Sequence, residues 1–343
     1  ATISFGYPRI GHLLPPGAAK RGRFYNVDLG FPRPWLNEGN KYLLTHSYIS
    51  KLVRGRDRFG HKNSFGHCLL IGGSPGRLGA IVMASQSCLR TGTGLVTVAS
   101  LDDSFPALEM KLGSEVMTYR VRRRGEHTLE EPPASFLTSF SSLVVGPGLG
   151  VSPEGAELMR FILTNFHGPL VIDADGLNLI AEYKLHSLIS KRAIPAVLTP
   201  HPGEMARLLN WDKERVVKEP LAALQEAVAM TGAVVLLKGA TTLIHSEEGI
   251  TYFNHYPNDG LAKAGSGDVL AGMIGGLLGQ RMAPLAATKL SVFSHTVAGR
   301  LAAERSGERS MIASDVVARI EDAFKEIANH KEARTSNACI QLF

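Results

Sequence analysis

The stretch Asn258-Asp259-Gly260-Leu261-Ala262-Lys263-Ala264-Gly265-Ser266-Gly267-Asp268-Val269-Leu270-Ala271-Gly272 decides how the rest of the chain is read. A loop of small residues delivers one carboxylate, Asp268, and runs straight into an apolar segment from Val269 to Leu278. Gly265 and Gly267 let the backbone take positive φ or approach a ligand closely. A helix starting near Ser266 turns its free N–H groups and positive dipole end toward the loop, which makes a phosphate site. Asp268 then lies in the first turn, beside that site, where a carboxylate can take a proton from an attacking hydroxyl. Taken alone, the same residues also describe a Gly-rich turn whose Asp caps a helix. The surrounding chain decides between the two.

Upstream of this loop, short apolar runs alternate with helical spacing. His67 to Ile71 is a strand ending in Gly72-Gly73-Ser74-Pro75-Gly76-Arg77-Leu78-Gly79-Ala80; then Ile81, Met83, Ala84, Ser87, Cys88 and Leu89 recur as on a helix. Leu95 to Ala99 is a second buried strand, and strand, helix, strand of this length is a βαβ unit, hence a parallel sheet. Further strands are expected at 142–145, 170–172, 196–198 and 234–237. Helices are expected at 154–165, 176–182, 203–209 and 220–231, and after the central loop at 269–279, 284–306 and 314–329.

In such a sheet, ligands bind beyond the carboxyl ends of the strands. The unusual residues of this chain fall there: Gly72 to Ala80, Gly146-Pro147-Gly148-Leu149-Gly150, Asp173-Ala174-Asp175-Gly176-Leu177-Asn178, Thr199-Pro200-His201-Pro202-Gly203-Glu204 and Lys238-Gly239-Ala240-Thr241-Thr242. Each alone has a structural explanation as a turn, a cap or a solvated side chain. Their gathering at one edge with the Gly-Ser-Gly-Asp loop points to a site. The glycines allow a dinucleotide or pyrophosphate to lie against the backbone. Lys238 suits a phosphate, and Glu204, or Asp173 with Asp175, suits Mg²⁺ held through water. There is no P-loop, no His/Cys cluster for zinc and no serine-hydrolase elbow.

Composition sets bounds on partners. The chain has 343 residues, 44% of them apolar, and a formal net charge of +6. That charge fits an anionic small molecule and does not demand nucleic acid or a membrane. Cys68, Cys88 and Cys339 lack metal-like spacing and cannot all pair, which suggests a reduced, cytoplasmic setting. No apolar run spans a bilayer. The run Arg120, Arg122, Arg123, Arg124 is expected on an exposed edge or loop, without the interleaved aromatics of a nucleic-acid surface.

Residues 1–38 differ from the remainder. Strands are expected at 1–5 and 23–30, joined by a Pro-rich connection that cannot make a core alone. The segment must pack on the main domain, on another copy, or on something else. Pro32 and Pro34 suggest a linker, 43–52 a short helix-like or irregular piece, and 331–343 a polar, frayed tail.

The loops quoted above, together with His61-Lys62 and Phe65-Gly66-His67, closely resemble the NAD(P)H-hydrate dehydratase family of the ribokinase-like superfamily. The resemblance covers about residues 45 to 325 with the motifs in family order. It implies a three-layer α/β/α fold with a mostly parallel central sheet over 39–330. The implied activity is repair of hydrated NADH or NADPH: phosphorylation of the C6 hydroxyl from ADP or ATP, then loss of phosphate. By family position Asp268 is the base, and Gly265, Ser266 and Gly267 hold the transferring phosphoryl group. Lys238, Gly239, Ala240, Thr241, Thr242 and Gly267 line the adenine nucleotide. Ala80, Gly148, Gly150, Asp175, Asn178, His201 and Asp268 face the hydrated cofactor, and Glu204 resembles the Asn-x-x-Glu position used for Mg²⁺. The His-Pro-Gly-Glu form resembles the bacterial branch, which uses ADP. Family members are often tetramers or larger.

Residues 1–38 also resemble the end of an NAD(P)H-hydrate epimerase domain, through Ala1-Thr2-Ile3-Ser4-Phe5-Gly6, Gly11-His12, Pro16-Gly17 and Val27-Asp28-Leu29-Gly30-Phe31-Pro32. Most of that domain is absent, so no epimerase activity is expected. Three other readings compete with the dehydratase. A thiazole- or pyrimidine-type kinase of the same fold would release a phosphorylated product. A Rossmann oxidoreductase lacks the Gly-x-Gly-x-x-Gly phasing. A non-catalytic nucleotide-binding module would not need Asp268.

Overall fold

The computed structural model describes residues 1–30, 39–122, 124–125, 130, 134–330 and 340–341. Its strands are β1 (Thr2–Phe5), β2 (Phe24–Val27), β3 (Lys41–Leu43), β4 (His67–Ile71), β5 (Leu95–Leu101), β6 (Val116–Val121), β7 (Ser142–Val145), β8 (Leu170–Ile172), β9 (Val197–Leu198), β10 (Val234–Leu237), β11 (Thr241–His245), β12 (Thr251–His255) and β13 (Ile340–Gln341). The longer helices are α1 (Leu78–Arg90), α2 (Pro153–Asn165), α3 (Asp175–Glu182), α4 (Pro202–Leu209), α5 (Pro220–Thr231), α6 (Ser266–Gly279), α7 (Pro284–Ser306) and α8 (Ala313–His330).

Eleven strands form one sheet in the order β13-β3-β12-β11-β10-β9-β8-β7-β4-β5-β6. From β10 to β6 every pairing is parallel, and β11 runs antiparallel to both its neighbours. The strands alternate their side chains between two cores, as a pleated sheet must. Leu69, Val145, Ile172 and Leu198 pack with Met159, Leu177, Met205 and Leu224 of α2 to α5. On the other face Cys68, Leu70, Val144 and Val171 pack with Ile81, Ile274, Phe293 and Ile320 of α1, α6, α7 and α8. This is the expected three-layer α/β/α arrangement. β4 pairs with β7 on one side and β5 on the other. The loops after β4 and β7 therefore diverge and open a crevice at this switch point.

The helix after the decisive loop is the innermost one. Apart from Gly267 and Asp268 in its first turn, α6 is buried along nearly its whole length. Glycine costs a helix about 1 kcal/mol relative to alanine, and here close packing requires it. A Cβ at Gly272 would overlap the Ala84 carbonyl oxygen of α1, and one at Gly275 would overlap Val144 of β7. α6 is thereby wedged between α1 and the sheet, and its N-terminus is carried to the crevice.

The expected helices are present with ends moved by one to three residues, and 220–231 and 284–306 coincide. Strands β3, β6, β11 and β12 were not anticipated. β11 and β12 form a hairpin whose two faces both carry polar residues, Thr241 and His255 on one and Thr242 and Asn254 on the other, which erases the alternating signal. β6 is a sheet edge and carries Arg120, a charge that protects such an edge; Arg124 is exposed and Arg123 lies outside the described residues.

The N-terminal segment packs on the main domain. β1 and β2 pair in parallel, and Leu13, 2% exposed, enters the core. Arg21 Nη2 lies 2.6 Å from His255 Nε2. A guanidinium has only protons to give, so Nε2 accepts. His255 Nδ1–H then donates to Thr241 Oγ1 at 2.6 Å, whose hydroxyl donates to the Leu13 carbonyl at 2.5 Å. Burial, aided by Arg21, pushes His255 down to about 4, which keeps this relay neutral at the ring. The linker with Pro32 and Pro34 lies outside the described residues. Of the tail expected to fray, Ile340 and Gln341 pair with β3 instead, and the rest lies outside the described residues. Cys68 and Cys88 are buried and free, and Cys339 lies outside the described residues. Among the described residues no helix is long and apolar enough to cross a membrane.

Candidate active site

Gly265 precedes α6 with φ 93° and ψ −22°, a left-handed conformation, and no side chain caps the helix. That conformation favours glycine, and a Cβ there would also press on Ala313 Cβ at 2.9 Å and on the flexible end of Met83. The Ser266 N–H donates to the Lys263 carbonyl at 3.3 Å, which leaves the Gly267 and Asp268 N–H groups of the uncapped first turn for a phosphate. Ser266 Oγ lies 3.3 Å from His295 Nε2 on α7. Burial pushes His295 down to about 4, so its ring is neutral.

Asp268, in the same turn, is half-buried. Its pKa is pushed up from 3.8 to about 7, chiefly by burial and by the charge of Asp173, with Lys238 opposing. A carboxyl poised near neutrality is a competent proton acceptor at working pH. Lys238, at the end of β10, donates to Asp173 Oδ1 at 2.8 Å and stands 3.8 Å from Glu204 Oε2. Asp173 is 1% exposed and also accepts from Thr199 Oγ1 at 2.6 Å. Burial works against the Lys238 charge, yet Asp173, Glu204 and Asp268 outweigh it and its pKa is raised. Lys238 is thus the counter-ion of a carboxylate cluster while it also lines the cavity described below. A Cβ at Gly267 would stand 3.2 Å from Nζ, so the ammonium still flanks the anion hole.

His201 caps α4. Its Nδ1 accepts from the backbone N–H of Gly203 at 2.9 Å and, more weakly, of Glu204 at 3.3 Å. That assigns the proton to Nε2, which lies 3.3 Å from Glu204 Oε1. Glu204 Oε2 accepts from the His201 backbone N–H at 2.8 Å, completing a capping box. Burial pushes the His201 pKa down, with help from Lys238 and Arg207. Burial raises the Glu204 pKa against the pull of Lys238.

A cavity of about 690 Å³ opens in front of this cluster. Lys238, Gly239, Ala240, Thr242, Gly265, Ser266, Gly267, Asp268 and His201 line it. Thr241 does not, because strand alternation turns it to the opposite face and into the relay from Leu13. Tyr256, Asn258, Leu261, His295 and Thr296 are among the other residues that line the cavity. Sequence reasoning missed these five as site residues. Asn258 and Leu261 stand in the decisive stretch itself, but the others carry no local pattern that marks them. Ala174 also lines the cavity with φ 49° and ψ −120°. Such a strained alanine persists only where its surroundings hold it.

Ala80, Gly148, Gly150, Asp175 and Asn178 stand outside that cavity, in the crevice of the switch point. A Cβ at Gly148 would lie 3.3 Å from Ala80 Cβ. Asp175 Oδ2 accepts from the Gly150 backbone N–H at 2.9 Å and from Arg77 at 3.1 Å. The charge of Asp175 adds a minor upward push to the Asp268 pKa.

Among the described residues no group of three His, Cys, Asp or Glu could hold a metal, and both Glu204 oxygens are engaged by His201. The carboxylates fit an ion that keeps its waters and is held mainly by substrate phosphates. They do not fit direct coordination.

The family model described as NAD(P)H-hydrate dehydratase matches residues 68–322. A bifunctional NAD(P)H-hydrate repair enzyme of Moorella thermoacetica is 37% identical over 322 residues, covering 92% of this chain and 60% of that protein. The ADP-dependent (S)-NAD(P)H-hydrate dehydratase of Neisseria meningitidis is 32% identical over 257 residues, covering 75% of this chain and 83% of that one. The ADP/ATP-dependent NAD(P)H-hydrate dehydratase of Bacillus subtilis, co-crystallized with ATP/Mg²⁺, matches with a TM-score of 0.70 at 26% identity, covering 82% of this chain and 97% of that chain. The chain thus spans about 60% of the length of the bifunctional relative.

Proposed function

This chain belongs to the NAD(P)H-hydrate dehydratase family, and from that premise we propose that it is an ADP-dependent (S)-NAD(P)H-hydrate dehydratase, a lyase of nicotinamide cofactor repair. One observation carries the reading. Asp268, pushed up to about 7, stands in the first turn of an uncapped helix and lines a cavity of about 690 Å³ together with Lys238 and His201.

In this reading ADP occupies the cavity against Gly239, Ala240 and Thr242. The hydrated nicotinamide enters from the crevice past Ala80, Gly148 and Gly150. Asp268 takes the proton of the C6 hydroxyl as that oxygen attacks the terminal phosphoryl group and AMP departs. The N–H groups at Gly267 and Asp268, with the Ser266 hydroxyl, hold the equatorial oxygens, an electrostatic role. The C6–O bond of the phosphorylated ring then breaks and the C5 proton is lost, which restores the ring double bond and releases phosphate. When bound, Mg²⁺ would be held through water at Glu204 and would screen phosphate charge. Lys238, already paired, keeps the carboxylate cluster from repelling the incoming anion. ADP as donor rests on the His-Pro-Gly-Glu form of the 201–204 loop.

The test supplies hydrated NADH or NADPH, Mg²⁺ and either ADP or ATP, and follows the near-ultraviolet absorbance of reduced nicotinamide. The expected result is a nucleotide-dependent rise, larger with ADP, that Asp268→Asn abolishes. A stable phosphorylated product without that rise would instead support the kinase of the same fold.

A further inference from the structure

Asp175 and Asn178, expected to contact substrate, are already engaged by protein. Arg77, in the loop after β4, places Nη1 3.1 Å from Asp175 Oδ2. Asn178 Nδ2 donates to Asp175 Oδ1 at 3.3 Å, and Arg207 Nε of α4 donates to Asn178 Oδ1 at 2.8 Å. The four side chains form one chain of hydrogen bonds, Arg77–Asp175–Asn178–Arg207, with a guanidinium at each end. Asp175 accepts a third hydrogen bond from the Gly150 backbone N–H at 2.9 Å. The Arg77 side chain is 59% exposed while that of Asp175 is 16% exposed, and Arg207 is also exposed. The inner members are therefore fixed and the outer members still have free N–H donors facing solvent. A guanidinium spends only part of its five-donor fork on one acceptor.

The position matches a clamp. A Cβ at Gly148 would meet the Arg77 carbonyl oxygen, so Arg77 borders the glycine loop of the crevice. The charge of Arg207 is felt at His201 and Glu204, and that of Asp175 at Asp268. Two planar donors on the crevice rim, outside the nucleotide cavity, suit phosphate oxygens better than any neutral ligand.

We propose that Arg77 and Arg207, held apart and oriented by Asp175 and Asn178, clamp the phosphate groups of the dinucleotide substrate while its nicotinamide end reaches Asp268. The assignment rests on the dehydratase reading for the identity of that substrate. Asp175 and Asn178 are then positioning residues, and the two arginines make the contacts.

The experiment measures KM for NADH hydrate, NADPH hydrate and ADP in the wild type, Arg77→Gln and Arg207→Gln, and in parallel the Kd of NADPH by fluorescence. Loss of one charge-assisted pair raises the hydrate KM and the NADPH Kd about tenfold, and leaves the KM for ADP where it was. Equal rises for both hydrates put the clamp on the pyrophosphate, and a rise for NADPH hydrate alone puts it on the 2′-phosphate. Arg77→Lys recovers only part of the loss, because an ammonium lacks the fork. Active wild type with both variants unchanged in hydrate KM and NADPH Kd would overturn the clamp alone. Wild type that binds NADPH more tightly than either variant, yet turns over no hydrate, would overturn the reaction and leave the clamp standing. Failure of the wild type to bind NADPH at all would overturn both.

Discussion

Lys238 Nζ stands 2.8 Å from Asp173 Oδ1, and that ion pair is the hinge between fold and chemistry in this protein. It links the end of β10 to the loop after β8, and it sets the charge that Asp268 experiences. A lysine so placed acts first on the carboxylates around it and only then on an incoming anion.

Lys238→Met therefore has two separable effects. Asp173 is left buried and unpaired, which costs about 3–5 kcal/mol of stability. Asp268 loses the charge that lowers its pKa, so the acid limb of the rate profile moves to higher pH. A chemical melt checks the first and a pH series of kcat/KM the second. An unmoved acid limb would show that Lys238 does not govern Asp268.

The Asp268 pKa near 7 predicts that kcat/KM rises as pH passes through about 7, where the carboxylate forms. Asp268→Asn loses about 10²- to 10⁴-fold in rate. The stability effect has the opposite sign. Between 3.8 and about 7 the folded state keeps a proton that the unfolded chain releases, so this group lowers stability as pH climbs through that window. Asp268→Asn is accordingly more heat-stable than the wild type above pH 7 and equal to it below the ordinary Asp value. Parallel melts in acid and in alkaline buffer decide it.

The Ser266–His295 pair calls for a double-mutant cycle. Ser266→Ala and His295→Leu each lower kcat, and if the imidazole acts by orienting the hydroxyl, the double variant is no worse than the more damaging single one. Multiplying losses would mean independent roles. His295→Gln keeps a polar partner for the hydroxyl and recovers most of the loss.

Gly272→Ala tests the wedge of α6. The added methyl meets the Ala84 carbonyl and Ser87, so the gain in helix propensity is outweighed by about 1–3 kcal/mol of overpacking. The measured Tm falls, and activity falls with it as the first turn of α6 shifts. A raised Tm would mean that α1 yields more easily than its packing implies.

Leu13→Ala removes the anchor of the N-terminal segment and costs about 2–5 kcal/mol if that segment unfolds with the rest. Hydrogen exchange at Thr241 and His255 rises as the relay to the Leu13 carbonyl is lost. Unchanged protection there would show that the segment sits on the sheet without bracing it.

Much of this architecture is local, and local patterns were legible in the chain. Apolar runs followed by glycines marked β4 and β7, and one followed by Asp173-Ala174-Asp175 marked β8. The small-residue stretch before Asp268 marked the start of α6, because a helix N-terminus and a left-handed glycine depend on neighbours within one turn. Which groups meet across the crevice was settled only by the folded chain. Lys238 and Asp173 are 65 residues apart, and nothing in either loop says that one neutralises the other. His201 was visible as a site residue but not as a helix cap whose tautomer is set by backbone N–H groups. Thr241 was expected in the nucleotide wall and is turned away by the alternation of a strand whose hairpin left no clear period. Arg77 and Arg207 were ordinary surface charges until α3 and α4 brought Asp175 and Asn178 between them. Short-range sterics and periodicity specify elements and their ends, whereas charge pairing, burial and the pKa of Asp268 depend on distances that only the packed sheet creates.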